Sequence, residues 1–162
     1  MVIGYGLLKG LVVIGYRLWV IERVGGYWLL SNESVDMEPH MFSFETLEVY
    51  QKSRILVSDV YRLQRTFPQE ERYALGDQVR RASTSITANL AEGSGRQSLK
   101  EKIHFVEISY GSLMEVFCEL QTAADLDYIT EAQLDELRSQ FTDIAKMLSG
   151  LRNALEKRLY NQ

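Results

Sequence analysis

Apolar residues recur at alternating spacings of three and four in four successive segments after residue 43, and this periodicity constrains the fold more than any other feature. Such spacing places apolar side chains on one face of a helix. Near-strict alternation favours the shallow crossing angle of a left-handed bundle, and short connections make neighbouring helices antiparallel. We therefore predict an all-α fold, an antiparallel up-down four-helix bundle. The third segment alternates without a miss, at Ile103, Val106, Tyr110, Leu113, Phe117, Leu120 and Ala124.

The other three segments show the same pattern. Helix one is predicted from about Phe44 to Thr66, because Pro68 prevents its continuation, and Gln69–Tyr73 form a short helical turn or loop. The predicted core positions of helices one, two and four are Val49, Leu56, Val60, Leu63 and Phe67; Leu75, Val79, Ala82, Ile86 and Leu90; and Leu134, Leu137, Phe141, Ile144, Leu148, Leu151 and Leu155.

Local signals mark the helix ends. Ser98 with Glu101, and Thr130 with Gln133, have the spacing of a capping box, in which each side chain bonds the backbone amide of the other residue. Gly93 suits the left-handed conformation that ends many helices. We therefore predict that helix two ends at Gly93, and that helices three and four begin directly after Ser98 and Thr130.

The first forty residues differ in composition from the rest of the chain. Six of the eleven glycines lie in the first thirty residues among Tyr, Trp, Val and Ile, a composition that disfavours helix. Charged residues interrupt the apolar runs, so none reaches the ~18–20 residues that span a bilayer, and no signal-peptide cleavage site is evident. We predict that residues 1–40 are a non-domain extension, translated from upstream of a true start at Met41, and that residues 41–162 form the bundle domain.

A β-hairpin is the rival interpretation of this extension. The apolar stretches alternate with glycines, and a near repeat recurs after eleven residues. The hairpin would turn near Gly25-Gly26. One of its faces would carry Val12, Ile14, Tyr16 and Leu18.

The charge of the chain restricts any nucleic-acid site to a local patch. The 162 residues include 18 Lys and Arg against 22 Asp and Glu, a net charge of -4, so no global basic field points to nucleic acid. The balance is uneven, with nine basic and six acidic residues from Arg54 to Lys102, but one basic and nine acidic residues from Ile103 to Ala145. The single cysteine, Cys118, excludes an internal disulfide and fits a reducing, cytoplasmic location.

Several stretches of the bundle segment resemble a known family. They are Phe44–Lys52, Gln78–Ser83 with Ser85-Ile86, Asn89–Arg96 and Tyr110–Glu115. They are similar to the four-helix bundle family named for the 23S rRNA intervening-sequence proteins, which includes the accessory variability protein of diversity-generating retroelements. The resemblance implies a homopentamer of bundles arranged around an axis, without known catalysis. From the retroelement members it implies a reverse transcriptase and nucleic acid as partners, bound through basic surfaces.

Helix two carries more small residues than a monomeric bundle needs. With its apolar residues facing the core, two further faces consist mostly of small side chains. Small side chains allow another helix to approach closely, and Gly111 within helix three costs ~1 kcal/mol relative to Ala unless close packing recovers it. We predict an oligomer interface, against the alternative of plain exposed surface, with Asn89 and Glu92 as buried polar groups. The interface residues are Thr84, Ser85, Ala88, Ala91 and Gly111.

Basic residues lie along helix two and at the start of helix three. Free backbone N–H groups and the helix dipole favour anions at a helix start. We predict a phosphate-contact patch, against the alternative of ordinary helix-start solvation. Its nucleic-acid-binding residues are Arg80, Arg81, Arg96, Lys100 and Lys102.

The sequence offers no complete catalytic constellation. Glu101 and His104 have the spacing of the helical unit of di-iron sites, but such a site needs this unit twice and two further glutamates. The only other histidine is His40. Cys118 has no histidine at helical reach and is predicted to be a packed thiol. We predict no catalytic residue, no cofactor and no metal.

These observations combine into one prediction of function. We expect a non-enzymatic, homo-oligomeric helical scaffold, a homopentamer by resemblance, that binds RNA or DNA through local basic patches and contacts no membrane. The alternative is a protein-interaction adaptor for a partner such as a reverse transcriptase, without direct nucleic-acid binding. A metal-dependent bundle enzyme is a remote alternative.

Overall fold

The structure is a computed structural model, and it describes residues 9–14, 17–24, 27–36 and 42–161. The chain divides into two units, Met1–Met41 and Phe42–Gln162.

The first unit contains a three-stranded antiparallel sheet in the order β1-β2-β3. β1 spans Lys9–Ile14, β2 spans Arg17–Val24 and β3 spans Tyr27–Asp36. The register pairs the last residue of each strand with the first residue of the next. These strands are rich in the β-branched and aromatic residues that favour extended structure. The sequence between the strands contains glycine, which tight hairpin connections favour.

This sheet corrects the predicted fold class for the first unit, because an all-α fold describes residues 42–161 alone. The hairpin interpretation has the connection between β2 and β3 at the right place. It is wrong in placing Val12 and Leu18 on one face, because Leu18 pairs with Val13, the neighbour of Val12, and successive residues of a strand lie on opposite faces. The start at Met41 remains a prediction, and Tyr16 and Met41 lie outside the described residues.

The second unit contains the four predicted α-helices and a short 3₁₀ helix. The first helix packs against the second and the fourth, and the third packs against the same two helices, so the four helices surround one core. In the part of the chain that the structure describes, no helix is long and apolar enough to cross a membrane. The elements are α1 Glu48–Gln64, the 3₁₀ helix Gln69–Tyr73, α2 Leu75–Ser94, α3 Leu99–Asp125 and α4 Glu131–Tyr160.

The first helix begins four residues later than predicted, at Glu48 instead of Phe44. The preceding residues form a turn, because the Glu45 carboxylate accepts a 2.8 Å hydrogen bond from the Phe42 amide. The Leu47 amide then donates to the carbonyl of Phe44 at 3.1 Å. Local side-chain bonds of this kind compete with helical hydrogen bonding, which explains the late start.

Two of the three predicted helix-end signals act differently in the structure. The capping box of Thr130 and Gln133 is confirmed, with the Gln133 amide donating to Thr130 Oγ1 at 3.3 Å. Ser98 precedes α3 but makes no side-chain cap hydrogen bond, so the predicted capping box of Ser98 and Glu101 is wrong. Gly93 continues α2 as a buried helical residue, and a Cβ added there would lie 2.7 Å from Phe105 Cβ. The glycine therefore permits the close approach of α3 and does not end the helix.

The hydrophobic core is formed mainly by the residues that the periodicity predicts. In helices one, two and four, only Leu63, Leu75 and Leu151 of the predicted core positions are half-buried, and the others are buried. The strict spacing succeeds there because each helix has one wide apolar stripe.

Helix three is rotated relative to its predicted core face. Tyr110 is 38% exposed, whereas Ser109 and Ser112 are buried and Val116 is fully buried. The Ser109 hydroxyl donates a 2.9 Å hydrogen bond to the Ile86 carbonyl of α2. Because this bond satisfies a buried polar group, the small serine can occupy the α2–α3 contact while the larger tyrosine lies outside the core.

Candidate functional site

Arg80, the first residue of the predicted basic patch, holds neighbouring elements together. Its guanidinium donates to Gln64 Oε1 of α1 at 3.0 Å and to the Arg72 carbonyl at 3.2 Å. It also pairs with Asp77 at 3.1 Å, and its side chain is only 25% exposed. A planar guanidinium with these fixed acceptors is a structural group, so Arg80 is not oriented for phosphate contact.

Arg81 and Arg96 are more exposed, and each is paired with a carboxylate one helical turn away. Arg81 pairs with Asp77, and Arg96 pairs with Glu92. The guanidinium of Arg96 also lies 4.8 Å from the centre of the Phe105 ring. Exposed ion pairs of this kind contribute ~0–1 kcal/mol, so a phosphate could replace the carboxylate at low energetic cost.

The two lysines at the start of α3 are the least restrained members of the patch. Among residues 42–161, no carboxylate lies within 4.0 Å of the ammonium group of Lys100 or Lys102. Lys100 is exposed. Lys102 is half-buried and lines a cavity of about 280 Å³ together with Arg158.

The five predicted basic residues form two groups. Arg80 lies near the start of α2 and Arg96 follows the end of this helix at Ser94, so roughly 21 Å of helix separates the two residues. The structure brings Arg96, Lys100 and Lys102 together at the α2–α3 junction. It places Arg80 and Arg81 near the other end of α2, where both are bound to Asp77.

The predicted interface residues of α2 lie on its outward side. Thr84, Ala88 and Ala91 are separated by four and three residues, so they share one face of the helix, and Thr84 and Ala88 are exposed. Ser85 lies toward α3, where Ser112 contacts it. The two small-residue faces predicted for helix two therefore adjoin each other.

Ser85 belongs to a polar network within the chain. Ser112 Oγ of α3 donates to Ser85 Oγ at 2.9 Å, and Asn89 Nδ2 donates to the same oxygen at 2.9 Å and to the Ser85 carbonyl at 2.7 Å. Asn89 is half-buried, in line with its predicted role, but Glu92 is exposed. Glu92 is therefore not buried within the bundle, because it pairs with Arg96 at the surface, and its burial at a subunit interface stays a prediction.

Gly111 and its neighbours leave an uncovered surface on α3. A Cβ added at Gly111 would have no heavy atom of the described residues within 4 Å. The large apolar residues Ile108 and Met114, one turn on either side, are 37% and 38% exposed. Low helix propensity and exposed apolar side chains therefore coincide at one place on the bundle.

A groove between α3 and α4 is a surface that the sequence reasoning missed. It has a volume of about 690 Å³ and is lined on α3 by Tyr110, Met114 and Phe117. The signal that could have revealed it is the row of small residues along α4, since small side chains on one helix leave room beside a neighbour. That row is Thr142, Ala145, Ser149 and Gly150.

The described residues offer no cluster for metal chemistry. None of them belongs to a group of three or more His, Cys, Asp or Glu that could hold a metal ion. Glu101 and His104 are both exposed, and His40 lies outside the described residues. Cys118 is exposed, so the prediction of a packed thiol is wrong.

Comparison with known proteins relates the helical unit to a single family. A family model described as "23S rRNA-intervening sequence protein" matches residues 45–150. A solved crystal structure from Bacteroides thetaiotaomicron VPI-5482, described as a protein with unknown function from the S23 ribosomal protein family, is similar with a TM-score of 0.60 and 25% sequence identity. The similarity covers 65% of this chain and 95% of that chain. No curated protein matches this chain.

Proposed function

Because this chain belongs to the 23S rRNA-intervening sequence protein family, we propose that it is a non-enzymatic, homo-oligomeric helical scaffold. The subunits associate through the exposed small-residue surface of α2 and α3, which is centred on Ala88 and Gly111. By the resemblance of its sequence to the family, the assembly is a homopentamer. The antiparallel up-down order of the helices is part of the proposal.

The antiparallel order is supported by paired contacts between α2 and α3. Ser112 bonds Ser85, whereas Phe105, seven residues earlier on α3, lies against Gly93, eight residues later on α2. Contacts that move in opposite directions along two helices are expected of antiparallel neighbours. The four-residue connection from Gly95 to Ser98 agrees with this arrangement.

The observation that carries the scaffold proposal is the open space at Gly111. A glycine inside an exposed helix costs ~1 kcal/mol relative to Ala, and nothing in the described residues recovers that cost by packing on it. Ala88 is exposed across the α2–α3 contact, and Ile108 presents apolar surface beside it. Close contact with a second copy would bury this surface and recover the cost.

A substitution at Ala88 tests the scaffold proposal. We expect the full chain to have an oligomeric mass by multi-angle light scattering, and Ala88→Arg to reduce that mass to one subunit while the helical circular-dichroism signal is retained. A long charged side chain cannot fit a close helix contact without burying an unpaired charge. The matched control is Ala132→Arg, at an exposed position of α4. A monomeric wild-type chain would show that the proposal is wrong.

Nucleic-acid binding is the second proposed function, and the unpaired lysines favour it. Lys100 and Lys102 lie in the first turn of α3, where backbone N–H groups and the helix dipole attract phosphate. Arg96 adjoins them. In an oligomer, several copies of this small patch would act together on one long strand, so a net charge of -4 per chain does not prevent binding.

The salt dependence of RNA binding tests this second function. We expect Lys100→Gln with Lys102→Gln to weaken binding to a structured RNA and to reduce the log–log salt slope by roughly 0.7–0.9 per lost phosphate contact. Arg54→Gln with Arg65→Gln removes the same charge from exposed positions of the first helix region and should leave the slope unchanged. If the wild type binds neither RNA nor duplex DNA at low salt, the adaptor function for a protein such as a reverse transcriptase takes its place.

A further inference from the structure

The α3–α4 groove has an apolar floor and a cationic rim. Phe117 and Phe141 meet edge to face in the floor, with ring centres 5.2 Å apart, and Tyr110 and Met114 beside them are each 38% exposed. Lys146 and Arg138 are the charged lining residues, and no carboxylate lines the groove among the described residues. The groove is therefore suited to a surface that combines small apolar contacts with negative charge.

Lys146 is the rim cation that is available to a partner. Arg138 is already held, because its Nε pairs with Asp135 Oδ1 at 2.8 Å and its guanidinium lies 5.2 Å from the centre of the Phe117 ring. Within residues 42–161, no carboxylate lies within 4.0 Å of the Lys146 ammonium group. An exposed apolar floor with a nearby uncompensated cation is more specific than an apolar patch alone.

The opposite side of α3 has the complementary properties. Glu115 and Glu119 lie beside the small-residue surface of Ala88 and Gly111, and neither carboxylate has an ion-pair partner within 4.0 Å in the described part of the chain. Arg81, the nearby cation on α2, is paired with Asp77. One Glu119 oxygen is buried without a hydrogen-bond partner among these residues.

We propose that the α2–α3 surface of one copy docks into the α3–α4 groove of the next copy, with Glu115 and Glu119 facing Lys146. This inference rests on the proposed self-association and specifies its geometry. If the grooves of two copies faced each other, the two Lys146 side chains would come together. If the two α2–α3 surfaces faced each other, the glutamates of both copies would come together. Both arrangements are unfavourable, whereas the alternating arrangement pairs opposite charges.

Head-to-tail docking has a consequence for the shape of the assembly. The two surfaces differ, so the contact is heterologous, and such contacts form a closed ring or an open filament depending on the rotation between neighbours. Here the two surfaces flank the same helix and face adjacent directions. Each added copy therefore turns the chain of subunits, and a ring forms only where the turns of all copies add up to a full rotation.

A mixing experiment with two blocking variants tests the inference on the full chain. Ala88→Arg blocks the α2–α3 surface and leaves the groove intact. Gly150→Trp blocks the groove, where Gly150 is exposed and an added Cβ would have open space, and leaves the other surface intact. We expect each variant to be monomeric and their equimolar mixture to form a 1:1 heterodimer by analytical ultracentrifugation, with no larger species. Ala154→Trp, at an exposed α4 position outside the groove lining, should assemble like the wild type.

The possible results separate this inference from the scaffold proposal. A wild-type chain that is monomeric contradicts both. An oligomeric wild type with a monomeric Ala88→Arg variant, but with an oligomeric Gly150→Trp variant or a mixture that stays monomeric, contradicts only the groove inference.

A charge exchange gives an independent test that disturbs packing less. Glu115 and Lys146 are exposed, so reversing their charges leaves the core unchanged. We expect Glu115→Lys and Lys146→Glu each to weaken self-association by about tenfold or more at low salt, because like charges then face each other. The double variant should recover most of the lost association, because the exchanged pair again has opposite charges, while the unchanged Glu119 opposes full recovery. Additive weakening in the double variant would contradict the proposed pairing.

Discussion

Gly93 and Gly111 are helical glycines in the same pair of packed helices, but their surroundings are opposite. Gly93 is buried near the end of α2, where an added Cβ would lie 2.7 Å from Phe105 Cβ. Gly111 is exposed in the middle of α3, where an added Cβ would have no described neighbour within 4 Å. Each glycine lowers helix propensity by ~1 kcal/mol, but only at Gly93 does packing within the chain compensate.

The difference between these glycines shows what a low-propensity residue can indicate. At Gly93 the missing side chain allows α3 to approach α2, and the compensation is contained in the bundle. At Gly111 no packing within residues 42–161 gives this compensation, and in the proposed assembly a second copy supplies it. The same residue type therefore marks an internal contact in one place and the proposed subunit contact in the other.

The largest expected effect in this comparison is that of Gly93→Ala. The new methyl group would overlap the base of the Phe105 side chain, which cannot rotate away, and such overpacking costs ~1–3 kcal/mol. Part of this cost is offset by the ~1 kcal/mol gain in helix propensity. We expect a net loss of up to about 2 kcal/mol in the free energy of unfolding, measured by urea denaturation.

Gly95 provides the matched control for this substitution. It follows α2 with φ of -77°, and the nearest atom to an added Cβ is 3.5 Å away, at ordinary contact distance. Gly95→Ala should therefore leave stability within about 0.5 kcal/mol of the wild type. Equal stabilities for the Gly93 and Gly95 variants would mean that α2 and α3 do not require glycine for their approach.

The sequence predicted the helices better than their mutual rotation. Every predicted core position of α4 is buried except the half-buried Leu151, because one broad stripe decides the orientation of that helix. In α3, apolar residues also lie outside the stripe, and the buried hydroxyl of Ser109 finds its acceptor on Ile86 of another helix. Single-helix periodicity contains no information about such an acceptor, so Tyr110 was assigned to the core.

The candidate site was predicted less completely, for a related reason. The basic residues were identified from their charge, but the partners that restrain them depend on the tertiary structure. Arg80 is bound by Gln64, sixteen residues earlier in the chain. Lys100 and Lys102 have no such partner among the described residues, although nothing in their sequence spacing separates them from Arg80. Only the packing of the helices makes this distinction.

The titration of Glu119, which lies beside the small-residue surface of Ala88 and Gly111, has an expected effect of intermediate size on stability. Burial, followed by the neighbouring carboxylate of Glu115, raises the pKa of Glu119 from 4.5 to about 7, and Arg81 on α2 opposes this rise. Between these pH values the folded chain keeps a proton that the unfolded chain has lost. Stability therefore falls as the pH rises from about 4.5 to about 7, by about 1 kcal/mol once solvent screening of a half-buried group is allowed for.

The isosteric variant Glu119→Gln removes this titration. In the Ala88→Arg background, where self-association does not contribute, we expect Glu119→Gln to lose less stability than its parent between pH 5 and pH 8, as measured by urea denaturation at each pH. Glu136→Gln, at an exposed position of α4, controls for the loss of one negative charge. Parallel pH profiles for the parent and Glu119→Gln would contradict an effect of burial on this carboxyl group.

The smallest expected effect is that of Gly111→Ala, and its sign is opposite to that of Gly93→Ala. In the Ala88→Arg background the added methyl group has free space, so we expect a gain of about 0.5–1 kcal/mol from helix propensity. Gly150→Ala, the matched open glycine of α4, should give a similar gain there. In the self-associating chain the Gly111 methyl group also enters the proposed subunit contact, so its gain should shrink or reverse. Equal gains for Gly111→Ala in both backgrounds would place Gly111 outside the interface, because the difference between the backgrounds measures only what the second subunit adds.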